Sequence, residues 1–273
     1  ANKQNELSEI SKKICDYICP INDNGSFGYQ HAIWTCEFFE HEKIKKVLDK
    51  LPFPNKNDYD NEENSIFSLA SYHHKPSTKL QALISLADWW SAGIDRRNVL
   101  EIENDTEKKD NPITIKESLV WGKNRYKKIP LYSIFNEINS GNYKNAYSMQ
   151  PLSIDDESCL VKKVNTNEDG YSQEQYNKLW NKFVAEFELL PTDSFDGFIE
   201  SLLFLLKKYT WCIPSNTMDM ANVSLYDHLK TTATFADCLY LYHESNPDAF
   251  NWDITKKKLS INENGFPVLL LAC

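Results

Sequence analysis

Apolar residues recur every three or four positions through residues 5–18, where Leu7, Ile10, Ile14, Cys15 and Ile18 share one face, and this spacing predicts an amphipathic helix. The same periodicity predicts a second helix over residues 29–51, a third over 65–72 and, after Pro76, a fourth over 77–93, so the first 95 residues or so read as nearly all helix. An acidic, Asn-rich stretch at residues 54–64 breaks the pattern as a surface loop. From residue 98 to about 169 the texture changes to short β-leaning runs separated by Gly, Asn, Asp and Pro, among them Val99-Leu100-Glu101-Ile102, Leu119-Val120-Trp121 and Leu131-Tyr132-Ser133-Ile134-Phe135. Helical spacing returns at residues 172–190, with Tyr176, Leu179, Trp180, Phe183 and Phe187 on one stripe, again at 195–209, and finally at 224–244. Ser224 followed by Asp227 suggests a capping box for that last helix. Residues 266–273, Phe-Pro-Val-Leu-Leu-Leu-Ala-Cys, read as a buried strand.

This pattern divides the chain into a helical first part at 1–97, a β-rich insert or linker at 98–170, a second helical part at 171–246 and a further segment at 247–273. The chain begins at Ala1, and its last strand would need partners for its backbone groups, so the expectation is a piece of a longer protein.

Composition narrows the class. With 41% hydrophobic and 13% aromatic residues among 273, the chain can bury a substantial core. A net charge of −9 argues against a charge-driven nucleic-acid binder, because such a surface repels phosphates. Seven widely spread cysteines suggest neither a disulfide framework nor a zinc ribbon. The sequence carries no apolar run of membrane-spanning length and no signal peptide, so no membrane partner is expected and the cytoplasm is the expected location.

The chemistry-bearing residues are few. Of six histidines, His73 and His74 are adjacent at a helix end, just before Lys75-Pro76, where two imidazoles can point into a cleft. His31 and His228 each stand near the start of a helical run. Asp88 falls inside the apolar run Leu83-Ile84-Ser85-Leu86-Ala87-Asp88-Trp89-Trp90, where a carboxylate is costly to bury unless paired or metal-bound. Imidazoles plus a carboxylate are the donor set of a hydrolytic transition-metal site. Other readings stay open: each histidine alone can serve as a cap or a satisfied core group, Asp88 can pair with Arg96 or Arg97, and Lys75 can be an ordinary solvated turn residue. His41 and His243 sit in polar helical surroundings and are expected to be solvated.

The same residues carry a family resemblance. Ala70-Ser71-Tyr72-His73-His74-Lys75-Pro76, Leu86-Ala87-Asp88-Trp89-Trp90-Ser91-Ala92-Gly93, Tyr209-Thr210-Trp211-Cys212-Ile213-Pro214-Ser215 and Ser224-Leu225-Tyr226-Asp227-His228-Leu229-Lys230-Thr231-Thr232 resemble the large subunit of type III CRISPR complexes, the III-A form above all. Pro130-Leu131-Tyr132-Ser133-Ile134-Phe135 and Pro151-Leu152-Ser153 resemble it too.

The resemblance implies a mainly α fold: a circularly permuted, HD-superfamily-like helical domain with a small β-rich insert, followed by the first strand of an α/β palm domain. It implies a nuclease directed at single-stranded DNA in antiviral defence, switched on when the complex recognises target RNA. A divalent transition metal (Mn, Ni or Co) would be held by His31, His73, His74, Asp88 and His228, with Asp88 and Lys75 as catalytic candidates. The implied partners are the other subunits of the effector complex, guide RNA, target RNA and the single-stranded DNA substrate. Permutation places the helix bearing His228 last, and the family's His-Asp pair would precede Ala1. No His-Asp dipeptide occurs in the 273 residues, so this chain alone is expected to bind metal weakly or not at all, and to be inactive by itself. The palm domain's cyclic oligoadenylate synthesis needs a Gly-Gly-Asp-Asp motif, which the sequence also lacks. Two other classes fit less of the pattern. One is an HD phosphohydrolase of small nucleotides, with Arg96-Arg97 as phosphate ligands. The other is a helical scaffold that has lost its metal.

Overall fold

The computed structural model describes residues 7–20, 29–52, 64–95, 129–137, 144–154, 162–164, 171–216, 221–253 and 258–261. These are mainly helical, as the periodicity predicts. In chain order the helices are α1 (Glu9–Ile18), α2 (Gln30–Glu40), α3 (Glu42–Leu48), α4 (Ile66–Ser71), α5 (Lys79–Asp95), α6 (Gln173–Phe187), α7 (Phe195–Thr210) and α8 (Leu225–Ser245). Among the described residues, four short strands form two antiparallel pairs: β1 (Lys144–Ala146) with β2 (Lys162–Val164), and β3 (Phe250–Asp253) with β4 (Lys258–Ile261). Val99–Ile102, Leu119–Trp121, Arg96, Arg97 and the expected strand at 266–273 lie outside the described residues. Among the described residues no helix is long and apolar enough to cross a membrane.

Contacts group the chain into two compact units, one of Ala1–Trp90 with Thr232–Cys273, the other of Ser91–Thr231. In the first, α1 starts at Ser8, whose side chain accepts from the Ser11 backbone N–H at 3.2 Å, and buries Ser11, Cys15 and Ile18 at helical spacing. The Ser8 backbone N–H donates to Glu37 Oε1 at 2.9 Å, which ties α1 to α2. The predicted single helix over 29–51 is two helices. His41 adopts an extended backbone (φ −63°, ψ 122°), ending α2 and opening α3. Apolar spacing continues across this break with buried Ile44, Val47 and Leu48, which is why periodicity alone does not reveal it. Beyond α2 the short helix α4 is capped by Ser65, which accepts from the Ser68 N–H at 3.1 Å. The Cys36 thiol donates to Ser71 Oγ at 3.1 Å and joins α2 to α4. A separate apolar cluster unites Leu83 and Ala87 of α5, Leu239 of α8 and Phe250 of β3, with Trp90 and Phe235 packed against it.

The second unit is built on α6 and α7. Ser172 and Gln175 form a reciprocal capping box at the start of α6, whereas at Ser224 the hydroxyl donates to Asp227 Oδ2 at 2.6 Å and accepts from the Asp227 N–H at 3.0 Å. Phe183, Phe187, Phe198 and Tyr209 interlock, with Phe187 and Phe198 edge to face at 6.2 Å, and Lys208 of α7 grips both carboxylate oxygens of Glu186 on α6. The run Leu131–Phe135 is not a full strand. Tyr132 bridges Ala146, and then residues Ile134–Glu137 wind into a 3-10 turn. The reason is Asn136, whose side-chain amide donates to the Asn145 carbonyl and accepts from its N–H, both at 2.8 Å, standing in for the next ladder bonds.

Tyr171 holds this region together. Its buried hydroxyl accepts from the Leu131 N–H at 3.1 Å and donates to the carbonyl of Tyr147 at 2.8 Å, with the Cys212 carbonyl at 3.2 Å. Removing that hydroxyl strands a buried N–H, so Tyr171→Phe should cost about 1–3 kcal/mol, read as a lower urea midpoint with an unchanged slope. An unshifted midpoint would mean that the three backbone groups find other partners.

The described thiols are placed by packing. Cys15, Cys19, Cys36 and Cys212 are buried and Cys238 is exposed. Burial pushes the Cys36 thiol up to about 12 and the Cys212 thiol up to about 11.

Candidate metal centre

Three imidazoles meet in the first unit. His31 is the second residue of α2, placed there by a tight first turn in which the Ala32 N–H donates to the Tyr29 carbonyl at 2.9 Å. His73 and His74 follow directly after α4, in a turn closed by the Lys75 N–H on the Tyr72 carbonyl at 2.8 Å. The contact of α2 with α4 brings the two segments together. His31 Nε2 lies 3.1 Å from His73 Nε2 and 2.5 Å from His74 Nε2, and the three nitrogens all fall within 4.8 Å of one another.

Backbone bonding fixes one of these rings. His73 Nδ1 donates to the Ala70 carbonyl at 2.6 Å, and a carbonyl can only accept, so the proton sits on Nδ1 and the Nε2 lone pair faces the cluster. Burial, then the neighbouring His73 and His31, push the His74 imidazole down to about 3, against the opposing pull of Asp88. His74 is therefore neutral across the physiological range. The three ring nitrogens are close enough together that one ion could take a ligand atom from each. At bond lengths of about 2.0–2.1 Å, imidazole nitrogens on one ion stand about 3.0–3.4 Å apart. The His31–His73 spacing fits that range, and the closer pair needs to open by less than 1 Å or so.

The other candidates are distributed as follows. Asp88 is half-buried on α5, between the buried Ala87 and the exposed Trp89, and its charge reaches His74. Lys75 extends over the Tyr29 ring, with Nζ 6.0 Å from the centroid. His228 belongs to the second unit. There Ser91 Oγ donates to the His228 carbonyl at 3.0 Å and so accepts from Nδ1 at 2.9 Å. His41 and His243, expected to be solvated, are half-buried, and the His243 ring stands edge-on to Phe250 at 6.1 Å.

Sequence reasoning did not find Tyr29, the Ala70 carbonyl or Ser91. Tyr29 stacks on His74 with ring centroids 4.4 Å apart, and its backbone is left-handed (φ 53°, ψ 41°). A left-handed tyrosine has no sequence signature, and Ser91 meets a histidine 137 residues away.

No family model matches the chain. Over 231 residues, 75% of the chain, it is 32% identical to a protein of Methanocaldococcus jannaschii described as a CRISPR system single-strand-specific deoxyribonuclease Cas10/Csm1 of subtype III-A. The chain is a Cas10-like type III large-subunit sequence. Proteins of the same description from Mycobacterium tuberculosis (30% identity over 115 residues, 41% of the chain) and Enterococcus italicus (30% over 193 residues, 66% of the chain) agree. The Cas10-like chain spans 25%, 14% and 23% of these three relatives.

Proposed function

We propose that this chain forms the metal-binding part of a permuted HD-type nuclease that cuts single-stranded DNA within a type III CRISPR effector complex. The observation that carries the reading is the convergence of three imidazole nitrogens, one with its lone pair fixed inward by the Ala70 carbonyl. In this reading His31, His73 and His74 hold a divalent ion, with Mn, Ni or Co suited to imidazole donors. Such an ion lowers the pKa of water and neutralises phosphate charge. Asp88, on the side of His74, adds a carboxylate that can take up the proton released there. Lys75 pairs with a phosphate oxygen of the strand. The bond between His73 Nδ1 and the Ala70 carbonyl fixes the His73 ring, and burial keeps His74 neutral. The relatives' description as single-strand-specific deoxyribonucleases supplies the substrate. Guide RNA and target RNA, reached through neighbouring subunits, would supply delivery and activation.

The test is manganese titration of the full-length subunit by calorimetry and by thermal unfolding. A ligand at one hundred times its Kd stabilises the folded state by about 2.7 kcal/mol, so the melting temperature should climb with manganese concentration. Absence of both heat and stabilisation at millimolar manganese would overturn the reading. Cleavage of a labelled single strand but not of the duplex, in the full-length subunit, tests the substrate.

A further inference from the structure

Exposed aromatic side chains flank the histidine cluster. Tyr29 is 46% exposed although it stacks on His74, and Trp34 is 47% exposed on α2, one turn after His31. Residues three apart on a helix are surface neighbours, so Trp34 sits beside His31 as Tyr29 sits beside His74. Exposing a tryptophan leaves a large apolar ring in water. Tyr29 carries a second cost: a non-glycine residue at φ 53° is strained by about 1–2 kcal/mol, and such strain persists where the surroundings enforce it, often at ligand sites.

We propose that Tyr29 and Trp34 form a base-stacking shelf that seats single-stranded DNA across the three histidines. The proposal rests on the nuclease reading and deepens it, because it assigns the residues that select a single strand. Bases in a duplex already stack on each other, whereas unpaired bases offer their faces to aromatic rings. Tyr29 immediately precedes α2 and Trp34 stands five residues on, within the helix, so the two rings can take two different bases. Tyr29 stacks on His74 and Trp34 is a helical neighbour of His31, so a strand held at both rings passes close to the ring nitrogens. Stacking also suits a chain with net charge −9, since it needs few cations; Lys75, over the Tyr29 ring, is one that can meet the intervening phosphate.

The experiment is fluorescence anisotropy of a labelled oligothymidylate with the chain in chelator, repeated with an abasic strand of equal length and with duplex. Trp34→Ala and Tyr29→Gly should each weaken oligothymidylate binding about tenfold, as loss of one stacked base does, and leave the abasic strand unaffected. Glycine adopts the left-handed backbone of position 29 without strain, so Tyr29→Gly keeps the fold while removing the ring. Affinity should depend only shallowly on salt, with a log–log slope near −0.7 or so for one phosphate contact. Unchanged oligothymidylate affinity in both variants, or an equal loss on the abasic strand, would overturn the shelf. Manganese titration of the full-length subunit separates the two readings: its failure to bind metal sinks the nuclease reading, whereas metal binding with unaltered DNA affinity in the variants sinks only the shelf.

Discussion

Replacing His73 and His74 together with alanine should lower manganese affinity by at least about a hundredfold and abolish manganese-dependent cleavage of single-stranded DNA in the full-length subunit. Loss of a residue that merely orients a ligand already costs about 10–100-fold, and here two of three converging donors disappear. His31 alone retains one imidazole, which cannot outcompete water for a divalent ion. The double variant also removes the ring against which Tyr29 stacks, so folding must be checked by circular dichroism before affinity is compared. A gentler companion is His73→Gln, which keeps a polar side chain after α4 but loses the Nε2 donor. Full manganese affinity in the folded double variant would sink the ligand assignment, and retained cleavage would sink the catalytic one.

Acidification should destabilise the metal-free protein through His74. Its imidazole is held down to about 3 from 6.5, by burial first and then by His73 and His31. Between those values the unfolded chain binds a proton that the folded chain refuses, so stability is at its full level above pH ~6.5 and declines as pH falls toward the folded value. The ring is only partly buried, so solvent screening reduces the effect, and the expected size is several degrees in melting temperature between about pH 7 and pH 4. In His74→Gln this slope should flatten, because glutamine does not titrate. Parallel melting curves for the two proteins across that range would contradict the neutral, enclosed histidine.

The helical architecture was legible because it rests on local periodicity. The stripe of Leu179, Phe183 and Phe187 reads directly from the sequence, and these residues are buried on α6. What spacing missed were features decided by single atoms or by distant partners. His41 divides one apolar stripe into two helices by its backbone angles alone. The Asn136 side chain replaces a strand's hydrogen bonds, so Ile134 and Phe135 point outward despite their β-prone composition. At the candidate site, sequence could mark His31, His73 and His74 as histidines at helix ends. It could not show that α2 and α4 meet there, since the Cys36–Ser71 bond that joins them is tertiary. Nor could it show the tautomer of His73, which one carbonyl decides.

The uneven burial of the thiols has a practical use. Maleimides react with thiolates, and the buried, proton-retaining Cys36 and Cys212 offer almost none near neutral pH. Among the five described cysteines, Cys238 is therefore the one a dye should find, on the outer surface of α8. A fluorophore attached there would serve as an energy-transfer reporter for added ligands, without touching any of the three imidazoles.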